Sequence, residues 1–324
     1  EEPSSEEEEE PSSEEEEPAA QDAQVSDDVS AFADASTGDL VAPATVLTQG
    51  DFALGERGAV LAVFDGMGGA ASGDVASALG REVLVSVLEE AEIGCPQDLA
   101  EALGAATVAA HRAIRRHAAK HPVCSGMGTT LTAAGVYADR LILTQVGDSR
   151  AYILRGDELV QVTEDQSLAS ELVASGKLTP EEAANYEHSN VILQALGVND
   201  RVYPTIAEVR LRRGDVLLLC TDGLSDMIDA EVLAEMVRSG ASAEEAARGE
   251  LRRLALGLVG AAKGRGGYDN ISVVLAAFEG EGLPVLSDAE EELSVTPMRV
   301  ASTPTGPPPS RRRVEILMLL GALA

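Results

Sequence analysis

The chain has 324 residues, 45% of them hydrophobic, enough for one large domain or two small ones with a sizeable core. Aromatics are only 3% and Trp is absent, so that core must be built from Ala, Val, Leu and Ile. A net charge of −31 excludes nucleic acid as a partner, because neutralising phosphates needs clustered Lys and Arg.

Residues 1–17 hold eleven Glu in a Ser/Pro/Glu run, and no Lys or Arg precedes Arg57. Such a run repels itself and buries nothing, so residues 1–24 are expected to form an acidic disordered tail. Strand-length apolar runs come next, at Ala59 to Phe64, Leu131 to Tyr137, Leu141 to Val146, Ala151 to Leu154, Val216 to Cys220 and Ile271 to Phe278. Helical spacing appears at 73–92, 98–118, 167–175, 180–185 and 230–260. The breaks between 131 and 162 are only three or four residues long, such as Ala138-Asp139-Arg140. Breaks that short permit antiparallel hairpins and exclude parallel crossovers. The expectation is therefore an α+β domain over residues 25–283.

Beyond it, 284–313 reads as a Pro-rich, basic linker with Thr296-Pro297, Thr303-Pro304 and Arg311-Arg312-Arg313. Residues 314–324 read as an apolar end. Nine apolar residues cannot cross a bilayer, which needs about 20. A basic triplet before them is how a membrane segment starts, so this end reads as a cut membrane segment or a small hydrophobic tag. Cys95, Cys124 and Cys220 form no Cys-x-x-Cys pair, which fits a reducing, cytoplasmic compartment, and Cys220 reads as core. The four His leave little for zinc or haem chemistry and read as solvated.

The aspartates carry the chemistry. Asp65 ends one apolar run, Asp148 and Asp222 end two others, and Asp269-Asn270 opens another, each beside Gly or one residue from it. One Asp at a strand end is an ordinary turn acceptor. Four brought together repel at a cost that a bound cation removes, and oxygen ligands without His or Cys suit Mg²⁺ or Mn²⁺. No cysteine is followed six positions on by Arg: Glu101, Thr130 and Asp226 stand there. A thiol-phosphate mechanism is excluded on that ground.

The strings FDGMGG (64–69), SGMGTTLTAA (125–134), VGDSRAYILR (146–155), LLLCTDGLSDMI (217–228) and GGYDNISVVL (266–275) resemble the successive motifs of the metal-dependent, type 2C serine/threonine protein phosphatases in their bacterial form. The resemblance implies a four-layer α-β-β-α sandwich of two antiparallel sheets flanked by helices. It implies a catalytic Asp65 bridging two Mn²⁺ or Mg²⁺ ions, with the Gly66 carbonyl, Asp222 and Asp269 completing their ligands. Asp148 would join Asp222 at a weaker third ion, and Asn270 would hydrogen-bond behind Asp269. Thr129 and Thr130 read as buried strand residues. Gln49-Gly50-Asp51 stands nearest the family's first acidic triplet, which makes Asp51 the remaining ligand; Asp39 is the alternative and would need an extra loop.

Two departures stand out. The family's first motif carries an Arg, the expected phosphate clamp, and none exists here before position 57. Met67 stands where some members have a His able to act as an acid. Residues 163–197 resemble the family's flap, a mobile insertion marked here by Gly176 and Asn190. The expected activity is hydrolysis of phosphoserine and phosphothreonine by a metal-bridging hydroxide, on phosphoproteins made by serine/threonine kinases. The alternative is a catalytically weak, phosphatase-like binding or regulatory module. The protein is expected to be a cytoplasmic monomer, with a membrane tether if the apolar end continues.

Overall fold

A computed structural model describes residues 54–55, 58–184, 186–240, 250–285 and 293–300. The first sheet has the order β1 (Ala59–Val63), β4 (Leu131–Tyr137), β5 (Arg140–Val146), β8 (Thr205–Arg210), β11 (Val295–Pro297). The second has the order β10 (Val273–Ala277), β9 (Val216–Cys220), β6 (Arg150–Arg155), β7 (Glu158–Gln161). Every pairing is antiparallel, as the short breaks require. A two-residue ribbon, β2 (Gly66–Met67) with β3 (Gly128–Thr129), stands apart from both.

Helices α1 (Ala70–Glu90) and α2 (Pro96–Lys120) cover the first sheet, burying Leu99, Leu103 and Ile114 against Leu131, Ile142 and Val146. Helices α6 (Ala230–Gly240) and α7 (Glu250–Gly264) cover the second, with Leu233, Val237, Leu254 and Leu258 on Leu218 and Cys220. Between the sheets lie Leu143, Val209, Ile153, Leu217 and Leu219. These are the four expected layers, and the core is aliphatic as the composition demands. Cys220 is fully buried, and burial pushes its thiol up to about 12.

Two expectations change. The domain does not end at 283: Val295–Pro297 forms the edge strand β11 on β8, and Val300 is buried in the core. Pro297 is tolerated because an edge strand can leave its missing N–H facing away from the ladder. His111 is not solvated; it is buried in α2, and its Nδ1 accepts the Gly197 N–H at 3.1 Å. The acidic tail, the remainder of the Pro-rich stretch and the apolar end lie outside the described residues. Among those described, no helix is long and apolar enough to cross a membrane.

One buried ion pair fastens the two sheets. Asp215, only 1% exposed, accepts Arg155 Nε at 3.0 Å, Arg155 Nη2 at 2.8 Å and the Arg212 N–H at 2.8 Å. Arg155 Nη2 also reaches the Arg210 carbonyl of the opposite sheet at 2.6 Å. Asp215→Ala is expected to cost about 3–5 kcal/mol in urea unfolding, because it strands the guanidinium without its counter-charge.

Candidate metal centre

The strand ends that carry the aspartates are cross-tied by hydroxyls. Asp65 follows β1, and its N–H donates to Thr130 Oγ1 at 3.0 Å while the Thr130 N–H donates to the Asp65 carbonyl at 2.8 Å. Thr130 Oγ1 also pairs with Ser149 Oγ at 2.8 Å, which ties Asp65 to the turn bearing Asp148. Gly147 enters that turn at φ +101°, and a Cβ there would stand 2.7 Å from Thr130 Cγ2. On the second sheet, Asp222 opens the single-turn helix α5 (Asp222–Ser225) after β9. Thr221 Oγ1 donates to the Asn270 carbonyl at 3.2 Å and accepts the Ser272 N–H at 3.0 Å, fixing the segment of Asp269 beside it. Asp269 Oδ1 accepts the N–H of Asn270 at 2.7 Å.

The two sheets thus send Asp65, Asp148, Asp222 and Asp269 into one field of mutual repulsion. Burial first, then Asp222, Asp269 and Asp148, push Asp65 up to about 9. Burial, then Asp222 and Asp165, push Asp148 up to about 7, and Asp226 is raised for the same reasons. Asp65 Oδ2 and Asp222 Oδ1 are buried with no hydrogen-bond partner. Orphaned carboxylate oxygens in a field of like charge fit divalent cations. Among the described residues no three His, Cys, Asp or Glu converge on one point. A donor set of carboxylates and carbonyls, with neither His nor Cys, suits Mg²⁺ and Mn²⁺, which complete their shells with water. Asp51 and Asp39 lie outside the described residues.

This repulsion makes stability depend on pH. In the metal-free fold Asp65 and Asp148 hold protons that the unfolded chain releases near pH 4. The stability they contribute is complete below that point and is lost as pH rises through about 7 and about 9. Melting temperatures in chelator should fall from about pH 5 to about pH 8.5, and saturating Mn²⁺ should flatten the decline by replacing those protons.

The loop after Asp65 is shaped by backbone contact. A Cβ on Gly66 would stand 2.1 Å from the Gly73 carbonyl oxygen, and one on Gly68, at φ +110°, 2.9 Å from Met127 Cα. Gly176 turns the chain at φ +68° between α3 (Leu168–Ala174) and α4 (Pro180–Ala184). Asn190 is exposed and accepts Ser189 Oγ at 3.0 Å.

Several participants were not legible as such. Thr130 is buried as expected, yet its work is to hold Asp65. Arg150 grips Asp165 through Nε at 2.9 and 3.0 Å and Nη2 at 2.6 Å, and reaches the Tyr152 hydroxyl at 3.3 Å. Arg150 lies within the string VGDSRAYILR, but nothing in the spacing named its partner. His117 and His121, one helical turn apart, stack with ring centroids 4.1 Å apart instead of converging on a cation.

A sequence model of the family described as protein phosphatase 2C matches residues 49–255. The chain is 39% identical over 234 residues to the serine/threonine protein phosphatase PstP of Mycobacterium tuberculosis. That match covers 71% of this chain and 43% of PstP, so the chain spans under half of that relative. It is 34% identical to the serine/threonine phosphatase stp of Listeria innocua, covering 70% of this chain and 87% of that one. A crystal structure of M. tuberculosis PstP superposes with a TM-score of 0.61 at 38% identity, covering 68% and 88% of the two chains. The PstP catalytic domain in complex with two manganese ions superposes with a TM-score of 0.58 at 37% identity, with the same coverage.

Proposed function

This chain belongs to the protein phosphatase 2C family, and on that premise we propose that it hydrolyses phosphoserine and phosphothreonine in proteins with Mn²⁺ or Mg²⁺ held between its carboxylates. The observation that carries this reading is the pair of buried, unpartnered oxygens, Asp65 Oδ2 and Asp222 Oδ1, contributed by opposite sheets. The two manganese ions named for the PstP catalytic domain support it.

In this reading Asp51, Asp65, the Gly66 carbonyl, Asp222 and Asp269 would hold two ions, with Asp65 the carboxylate central to both. Asp148 and Asp222 would hold a weaker third, and Asn270 would support Asp269. When bound, the ions supply an acidified water and a sink for phosphoryl charge. The chain's own part is placement. Thr130 and Ser149 fix Asp65 and the Asp148 turn relative to each other. Thr221 keeps the Asp222 and Asp269 strand ends in register across β9 and β10. Met67 has no proton to give, so the loop offers the leaving oxygen no side-chain acid. The flap over 163–197 shapes access for the phosphopeptide and contributes no ligand. Substrates would be the products of serine/threonine kinases.

The deciding experiment is hydrolysis of a phosphoserine peptide with Mn²⁺ added and with chelator. Turnover that appears with Mn²⁺ and vanishes in chelator is expected. Turnover indifferent to chelator removes the metal mechanism. Mn²⁺ and phosphopeptide binding without turnover makes the chain a regulatory module.

A further inference from the structure

We propose that Gln166 is a positioning residue that couples the 168–192 insertion to the strand end bearing Asp148. The insertion leaves and rejoins the domain through two stems. Ser167 bridges to Ile192, the Leu168 N–H donates to the Val191 carbonyl at 2.8 Å, and the Leu193 N–H donates to the Gln166 carbonyl at 2.8 Å. Gln166 sits where these stems meet the first sheet.

Its side chain works in both directions. Oε1 accepts the Gly147 N–H at 2.8 Å and Gln194 Nε2 at 2.9 Å. Nε2 donates to Thr205 Oγ1 at 3.1 Å and to the Gln145 carbonyl at 3.4 Å. The Gln166 N–H donates to the Gly147 carbonyl at 3.0 Å. Gly147, the residue before Asp148, is therefore gripped at both its N–H and its carbonyl by one glutamine. That same glutamine holds the second stem through Gln194. Only an amide offers acceptor and donors at that reach.

The second stem continues into the other half of the carboxylate field. Thr129 and Leu196 exchange both backbone hydrogen bonds, at 2.8 and 3.1 Å. Thr129 precedes Thr130, which holds Asp65. A shift of the stems must therefore move Gly147, break a Gln166 hydrogen bond, or strain the Thr129 pairing. The consequence for a cation at Asp148 rests on the metal reading above; the mechanical coupling does not.

The test uses the full chain without metal and reads hydrogen–deuterium exchange over 145–149. It compares the intact insertion with one in which 177–188 is replaced by a short Gly/Ser link. With Gln166 present, trimming should speed that exchange about fivefold to tenfold. In Gln166→Met, exchange should already be fast, and trimming should add less than about twofold, because coupled changes are not additive. A full response to trimming in Gln166→Met, or none with Gln166 present, overturns the proposal. Gln166→Glu keeps the acceptor for Gly147 and loses both donors. It should fall between the two, and it replaces Gln166→Met under the same criterion if that variant fails to fold. Calorimetric Mn²⁺ titration of the same proteins separates the two readings. A tenfold loss at the weakest site supports both, whereas coupled exchange with an unchanged isotherm keeps the coupling and removes Asp148 from the metal ligands.

Discussion

Asp65→Asn is expected to lower Mn²⁺-dependent hydrolysis of a phosphoserine peptide by at least about 10²-fold, the scale on which removing one preorganised charge-stabilising group acts. The substitution is nearly isosteric. Its two ties to Thr130 run through the N–H of residue 65 and its carbonyl, so they survive the exchange. What disappears is the charge that Asp222, Asp269 and Asp148 oppose. The same variant should therefore be more stable than the parent in chelator at about pH 8, where folding the parent must put back on Asp65 a proton that the unfolded chain has released. In saturating Mn²⁺ the order should reverse, because the parent gains a ligand that the variant lacks. Activity and metal-free stability moving in opposite directions would identify Asp65 as a metal ligand. Equal Mn²⁺ stabilisation of both proteins would remove it from the ligand set.

The sandwich was legible because its strands are apolar runs ended by Gly and Asp. The runs at Leu131 to Tyr137 and Val216 to Cys220 are β4 and β9 to the residue. Asp65, Asp148, Asp222 and Asp269 were legible for the same reason, since a carboxylate closing an apolar strand stands out from its surroundings. The edges were not. β8 reads Thr-Ile-Ala-Glu-Val-Arg, with both ends exposed and a half-buried glutamate between buried Ala and Val, and no apolar run announces it. All three residues of β11 are exposed, and it is Met298 and Val300, just past the strand, that reach the core. The ties around the site were also hidden. Thr130 meets Ser149 across 19 positions, Arg150 meets Asp165 across 15, and Thr221 meets Asn270 across 49. Single hydroxyl and guanidinium contacts leave no period in a sequence. Only the pairing of strands brings them together.

Gly73→Ala should lower Mn²⁺ affinity by about tenfold or more and reduce hydrolysis with it, at a stability cost of about 1–3 kcal/mol. Helix propensity alone predicts the reverse, since Ala is favoured over Gly inside a helix by about 1 kcal/mol. Gly73 lies in the first turn of α1, where its backbone rests against the loop after Asp65. A Cβ on Gly73 would stand 2.5 Å from the Gly66 carbonyl oxygen and 2.7 Å from its carbon, and one on Gly66 would stand 2.1 Å from the Gly73 oxygen. These are contacts between two backbones, so no side chain can rotate away to relieve them. Either alanine must push the Gly66 peptide off the helix, and with it the carbonyl proposed as a ligand. The control lies in the same molecule. Gly257 in α7 has open space where its Cβ would be, so Gly257→Ala should stabilise the protein by about 0.5–1 kcal/mol and leave Mn²⁺ binding unchanged. The comparison separates the role of the Gly66–Gly73 contact from helix propensity. If Gly73→Ala behaves as Gly257→Ala does, the loop yields without loss and the Gly66 carbonyl is not part of the metal site. If Mn²⁺ affinity falls while urea unfolding stays within about 3 kcal/mol of the parent, the glycine pair sets where that carbonyl stands.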